Sequence, residues 1–255
     1  MKQEDEMQLG YTKKLMQALG RKNPTISVIA PLLLLCAGLG CKPQNEDFDP
    51  HKKYGEDVRS FSNGRVDALP YFVGKDTQPI WGEENMPPAD ALRIPDFRFE
   101  DQNGLSFGAS ELQGRIYLAN FFFTTCNGIC PRTMPRLRRV QAELSELKDF
   151  TLISYSVTPE IDTVEVLQEY AQKMSIDDQN WHLLTGERKK IYDLARNSFR
   201  ADTTVRSRKG ADDFLHSEQA FLVDRKRYLR GIYNVQGPQD LNKIIRDIRL
   251  LSGEL

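Results

Sequence analysis

The run Ile116–Phe123 is apolar almost throughout and gives way, after Thr124-Thr125, to Cys126-Asn127-Gly128-Ile129-Cys130-Pro131. Such a run reads as a strand buried on both faces. Pro131 disfavours helical dihedrals at Cys130 and suits the first position of a helix. The cysteine pair is therefore expected on the loop between a central strand and a helix N-terminus. A thiol there feels the positive end of the helix dipole, which lowers its pKa and favours thiolate. Thiolates exchange disulfides and bind soft metals such as Cu(I).

The 255 residues carry 35 Lys/Arg against 36 Asp/Glu, so nothing points to nucleic acid. The length suits one globular domain with leading segments. Of four cysteines, Cys36 and Cys41 lie in or beside an N-terminal apolar stretch. The folded part thus holds one pair and no disulfide framework, and such a pair reads as reactive or metal-binding. Lys13, Lys14, Arg21 and Lys22 precede an apolar run from about Ile26 to Gly40. That run is shorter than the roughly 20 residues of a membrane span and fits a signal segment. Cys41 then opens a polar stretch, as in a bacterial lipoprotein signal. A short uncleaved anchor is the alternative. Both place the domain outside the cytoplasm, on a tether.

Three parts follow: a leader over 1–41, a linker and irregular lead-in over 42–90, and a folded domain over 91–255. Within the lead-in, Leu69–Val73 and Pro79–Trp81 are apolar enough to pack on the domain. Phe97–Phe99 and Leu105–Phe107 read as a short hairpin. A helix is expected from Pro131 to Leu147, with Pro135 kinking its first turns or moving its start to Met134. Phe150–Val157 and Trp181–Leu184 read as strands, Thr163–Met174 and Lys189–Phe199 as helices. Residues 200–213 read as an exposed loop, Ala220–Val223 with Tyr228–Tyr233 as a hairpin, and Leu241–Leu251 as a closing helix. This order is that of a thioredoxin-like α/β fold, three layers around a central mixed sheet, with an inserted helix.

The cysteine pair has three readings: a redox dithiol, a metal pair in need of a further ligand, or two buried inert thiols. Its spacing is one residue wider than the common redox C-x-x-C. The chain has three histidines. His51 lies in the linker. His182, in a short apolar strand, reads as structural. His216 stands just before a strand, about where thioredoxin-like oxidoreductases place a cis-proline facing the dithiol, and no proline occurs between Pro159 and Pro238. Two thiolates and an imidazole form a soft, low-coordinate set that suits copper, whereas zinc prefers a fourth ligand.

Five ordered motifs carry a closer resemblance. They are Phe99-x-Asp101-x-x-Gly104; Phe121-x-x-Thr124-x-Cys126-x-x-x-Cys130-Pro131; Ser156-Val157-Thr158-Pro159-Glu160-x-Asp162-Thr163; Trp181-x-x-Leu184-Thr185-Gly186; and His216 ahead of Phe221-Leu222-Val223-Asp224. From about Ile94 to Leu251 the chain resembles the Sco/SenC family. The resemblance implies a membrane-tethered, thioredoxin-like domain facing the periplasm. It implies Cu(I)/Cu(II) held by Cys126, Cys130 and His216, and delivery to the copper site of cytochrome c oxidase subunit II. It also admits a thiol–disulfide reductase of that subunit's copper cysteines, with Cys126 attacking and Cys130 resolving, or a redox or copper sensor. Other copper chaperones or thioredoxin-like reductants are further implied partners. The chain departs from the family pattern at Asn127, often Pro, and at Thr158 and Leu215, both commonly Asp.

Overall fold

The computed structural model describes residues 68–81, 86–126, 128, 130–201 and 218–254. Strand β5, Ile116–Phe122, is buried along its whole length. Two clusters cover its faces. Ile116, Leu118 and Phe122 point into one, Tyr117, Ala119 and Phe121 into the other. A strand with no polar face needs a layer on each side; helices supply most of the first, and one helix with a hairpin and connecting segments supplies the second.

The five-stranded sheet has the order β7-β6-β5-β8-β9. Strand β6 (Phe150–Ser156) pairs parallel with β5, and β7 (Trp181–Leu184) parallel with β6. Strand β8 (Gln219–Val223) pairs antiparallel with β5, and β9 (Leu229–Asn234) antiparallel with β8. Helices α1 (Cys130–Glu143), α2 (Val164–Lys173) and α4 (Pro238–Ser252) contribute to the first cluster. Helix α3 (Arg188–Leu194), which continues into one wide turn over Ala195–Phe199, contributes to the second. The antiparallel hairpin β3 (Arg98–Glu100) and β4 (Ser106–Gly108) lies on that side too. The expected strand and helix order holds throughout the described residues.

Three local expectations change. Helix α1 begins at Cys130 and runs unbroken through Pro135, which is exposed. Proline there removes only the bond to the Pro131 carbonyl, within the first turns and beside solvent, where the loss is small. The helix ends at Glu143, and Leu144 and Leu147 are buried in the turn that follows. A second hairpin, β1 (Tyr71–Val73) with β2 (Gln78–Ile80), forms in the lead-in, and Leu69, Tyr71 and Val73 are buried. The leader, the linker, most of the 200–213 loop and His216 lie outside the described residues.

Several motif residues have structural roles. Asp101 accepts from the Asn103 and Leu105 amides at 2.9 and 3.0 Å, closing a turn in which Gly104 has φ +71°. A Cβ on Gly186 would come within 2.9 Å of the Phe99 ring, so these two motif positions are matched. Trp181 Nε1 donates to Ser154 Oγ (2.9 Å), which donates to Asn120 Oδ1 (2.6 Å). Asp224 accepts from the Lys226 and Tyr228 amides and pairs with buried Arg230 at 3.0 Å. Arg230 also donates to Leu69 O and Pro70 O and lies 3.9 Å above the Tyr71 ring, fastening the lead-in.

His182 is structural, as expected. Its ring stacks on Phe107 at 3.9 Å, and Nδ1 lies 3.3 Å from Asp101 Oδ2. Burial lowers its pKa from the usual 6.5, against the pull of Asp101. Below about pH 6.5 the unfolded chain therefore takes up a proton that the folded chain resists, and folding weakens until the lowered folded value is passed. Urea unfolding between about pH 7.5 and 5.5 should show the native protein losing stability relative to His182→Gln, in which nothing at this position titrates. Parallel losses in both proteins would remove His182 from the acid response.

Candidate metal and redox site

Strand β5 delivers the chain to the cysteines. The Cys126 amide donates to Phe123 O at 3.3 Å, turning the backbone after the strand, and Cys130 is the first residue of α1. The Cys130 N–H, one of the unpaired donors at the helix start, points to Cys126 Sγ at 3.4 Å. A donor aimed at sulfur from a helix N-terminus suits negative charge there. Neither cysteine is in a disulfide.

The sequence places both thiols on a loop with a lowered pKa. The structure corrects this for Cys130, which is helical, buried, and pushed up to about 12. Burial is the largest cause, and its hydrogen bond and proximity to Cys126 push the same way. The dipole of α1 does not overcome desolvation. Cys126 is buried as well, and both sulfurs join the cluster that holds Met134, Leu137 and Phe122. Burial alone does not make the pair inert: the Cys130 amide reaches Cys126 Sγ and the two side chains share one buried cluster, which suits both a closing disulfide and a shared metal.

The loop is pinned by a residue whose role its motif does not reveal. Asp162 is fully buried between β6 and α2. Its carboxylate accepts from Ser156 Oγ (2.6 Å), Thr158 Oγ1 (3.1 Å), the Thr124 amide (3.3 Å) and Thr124 Oγ1. Thr124 stands two residues before Cys126, so the carboxylate ties the cysteine turn to the end of β6. Thr158 acts here as a donor, where an Asp would set a second carboxylate against the first. In sequence, Asp162 stands in a motif that gives it no role of its own, while Thr163 opens the expected helix and does cap α2, accepting from the Val166 amide at 3.4 Å.

Two more residues frame the sulfurs. Tyr170 of α2 packs against Phe122, ring centroids 5.7 Å apart. Its phenol is pushed up by burial first and then by Cys130, Cys126 and Asp162. Arg136 of α1 donates to Val235 O and Gln236 O, both at 2.8 Å, and Gln236 donates to Thr133 Oγ1 at 2.7 Å. These bonds hold the cysteine helix to the loop before α4. Among the described residues no three His, Cys, Asp or Glu stand together as a metal cluster. The described part supplies two soft donors.

Asp162→Ala leaves several donors beside the turn without an acceptor, a loss of about 2–4 kcal/mol. It should also speed alkylation of native Cys126 and Cys130 by iodoacetamide, followed by mass spectrometry. Lower stability with unchanged alkylation would confine the carboxylate's role to the β6–α2 loop.

The family model described as SCO1/SenC matches residues 86–252. A SCO1/SenC family lipoprotein from Bacillus anthracis is 28% identical; the match covers 63% of this chain and 95% of that one, with a TM-score of 0.57. BsSco, described as a member of the Sco family of cytochrome c oxidase assembly proteins with a disulfide switch, is 30% identical. That match covers 67% of this chain and 99% of BsSco, with a TM-score of 0.56. A Stutzerimonas stutzeri protein that carries the provisional name of copper-binding protein is 28% identical over 155 residues, 60% of this chain and 74% of its own. With the family model covering more than half its length and this fold around its cysteine pair, the chain belongs to the SCO1/SenC family.

Proposed function

We propose that this protein is an extracytoplasmic copper carrier for assembly of the copper centre of cytochrome c oxidase, with subunit II as its client. The observation that carries the reading is the Cys126–Cys130 pair, outside any disulfide, with the Cys130 amide on Cys126 Sγ at the start of α1. Two thiolates suit Cu(I), and each thiol gives up its proton on binding. His216 is the proposed third ligand. It rests on the sequence alone, and an imidazole would help to retain Cu(II). The names of the relatives, one for oxidase assembly and one for copper, support the same direction. The leader ending at Cys41 supports a lipid tether or a short anchor on the outer side of a bacterial membrane.

A second reading has its own observation. A protonated, buried Cys130 beside a Cys126 sulfur that accepts a helix N–H is an asymmetric dithiol, with Cys126 placed to attack and Cys130 to resolve. The two readings meet in one chemistry. Closing the disulfide oxidises both sulfurs by two electrons in all and releases two protons, and it removes both thiolates from any metal. BsSco's disulfide switch supports this relation.

The reduced protein should take up one copper ion, and Cys126→Ser or Cys130→Ser should abolish tight binding, since an alcohol is a poor soft-metal ligand. His216→Ala should weaken Cu(II) more than Cu(I). Bound Cu(I) should protect both thiols from alkylation. Catalytic reduction of a disulfide-closed subunit II peptide, without copper uptake or thiol protection, would replace the carrier with the reductase.

A further inference from the structure

The turn between β8 and β9 brings Arg225, Lys226 and Arg227 to one end of the sheet. Arg93, Arg98 and Lys190 meet them there from three other segments, around a cleft of about 860 Å³. Among the described residues that line it, Asp96 is the one carboxylate. The chain as a whole has a net charge of −1, so this concentration is not a by-product of composition.

Four of the six cations have a carboxylate in reach: Arg227 with Asp96, Arg225 with Asp149, Arg98 with Glu111 at 3.6 Å and Lys190 with Glu187 at 2.7 Å. Arg93 and Lys226 have none among the described residues. Most of the paired side chains are well exposed, and such pairs are individually weak. The arginine forks among them can turn to a multiply charged anion. The arginines are also held in place. Arg93 Nε donates to Lys226 O at 3.1 Å, Arg98 Nη1 to Ser106 Oγ at 3.0 Å, and Arg225 Nη1 to Leu251 O at 2.5 Å.

The cleft stands away from the cysteines. Strand β5 runs toward Cys126, and β8 runs back beside it, with Val223 opposite Tyr117 at the far end. The lead-in is fastened at that same end, by Arg230 to Leu69 O and Pro70 O.

We propose that this cleft binds phosphate-bearing anions, with Arg93, Arg98, Lys226 and Arg227 as its principal contacts. A concave group of guanidinium forks from several segments suits a compact polyanion better than a flat acidic surface. The two sources of that chemistry are free phosphate compounds and the headgroups of anionic lipids. The site is independent of the copper reading.

Calorimetric titration of the full chain in a neutral detergent tests it. One arm adds inorganic pyrophosphate, another adds micelles of short-chain phosphatidylglycerol, and a control adds phosphatidylcholine micelles. Saturable binding should weaken with salt, and Arg98→Gln/Lys226→Glu should lower the affinity at least about tenfold. Lys226→Glu alone, on an exposed side chain, gives the same direction if the double variant folds poorly. Binding of phosphatidylglycerol but not phosphatidylcholine identifies a headgroup; binding of pyrophosphate alone identifies a free phosphate. No saturable binding in either arm, or binding that the variants leave intact, overturns the proposal.

Discussion

The parallel pairing of β5 with β6 sets the position of everything that bears on chemistry. Its register runs from Ile116 opposite Phe150 to Phe122 opposite Ser156, and it continues one step further as the Val157 amide donates to Phe122 O at 2.9 Å. Both strands end there together. The chain beyond β5 becomes the cysteine turn, and the chain beyond β6 carries Asp162. Their common ending lets one buried carboxylate gather Thr124 from the first and Ser156 and Thr158 from the second. A slip of one residue would turn every side chain of β5 to the opposite cluster and part Thr124 from Asp162.

The thiols show two environmental effects in opposition. The helix start offers positive potential and an amide aimed at Cys126 sulfur. Burial opposes charge, and at Cys130 it wins. The two members of the pair thus stand in unlike settings, a helix amide on the Cys126 sulfur and desolvation dominant at Cys130, although the sequence presents them symmetrically around Asn127-Gly128-Ile129. A soft cation that binds both sulfurs removes the cost of their buried charge, because its own charge replaces the missing solvent.

The sheet and its helices were legible because periodicity carries them. The unbroken apolar run of β5 marked a strand covered on both faces, and Met134, Leu137 and Val140 marked the buried stripe of α1. Both cysteines were equally plain. The raised pKa of Cys130 was not, because it depends on neighbours brought from other segments. Of the two readings offered for Pro135, a start of α1 at Met134 does not hold, for a related reason: the cost of proline depends on how near the helix start it falls and on whether the freed carbonyl meets water. Asp162 stood in a recognised motif, yet its role needed the β5–β6 register. Both halves of the hairpin at Tyr71–Ile80 stood out as apolar stretches expected to pack on the domain; Leu69, Tyr71 and Val73 do, but Pro79 and Ile80 do not, because every residue of β2 is exposed. Several motif positions prove architectural, as Phe99 against Gly186 and Asp224 against Arg230 show.

The central proposal is that Cys126 and Cys130 hold copper together with His216. Copper K-edge X-ray absorption of the Cu(I)-loaded full chain tests it most directly, since it counts sulfur and nitrogen neighbours at the metal. The account predicts two sulfur neighbours and one imidazole nitrogen. Either cysteine-to-serine change should remove a sulfur, and His216→Ala should remove the nitrogen. A shell of oxygen and nitrogen alone, or one that Cys130→Ser leaves unchanged, would contradict it.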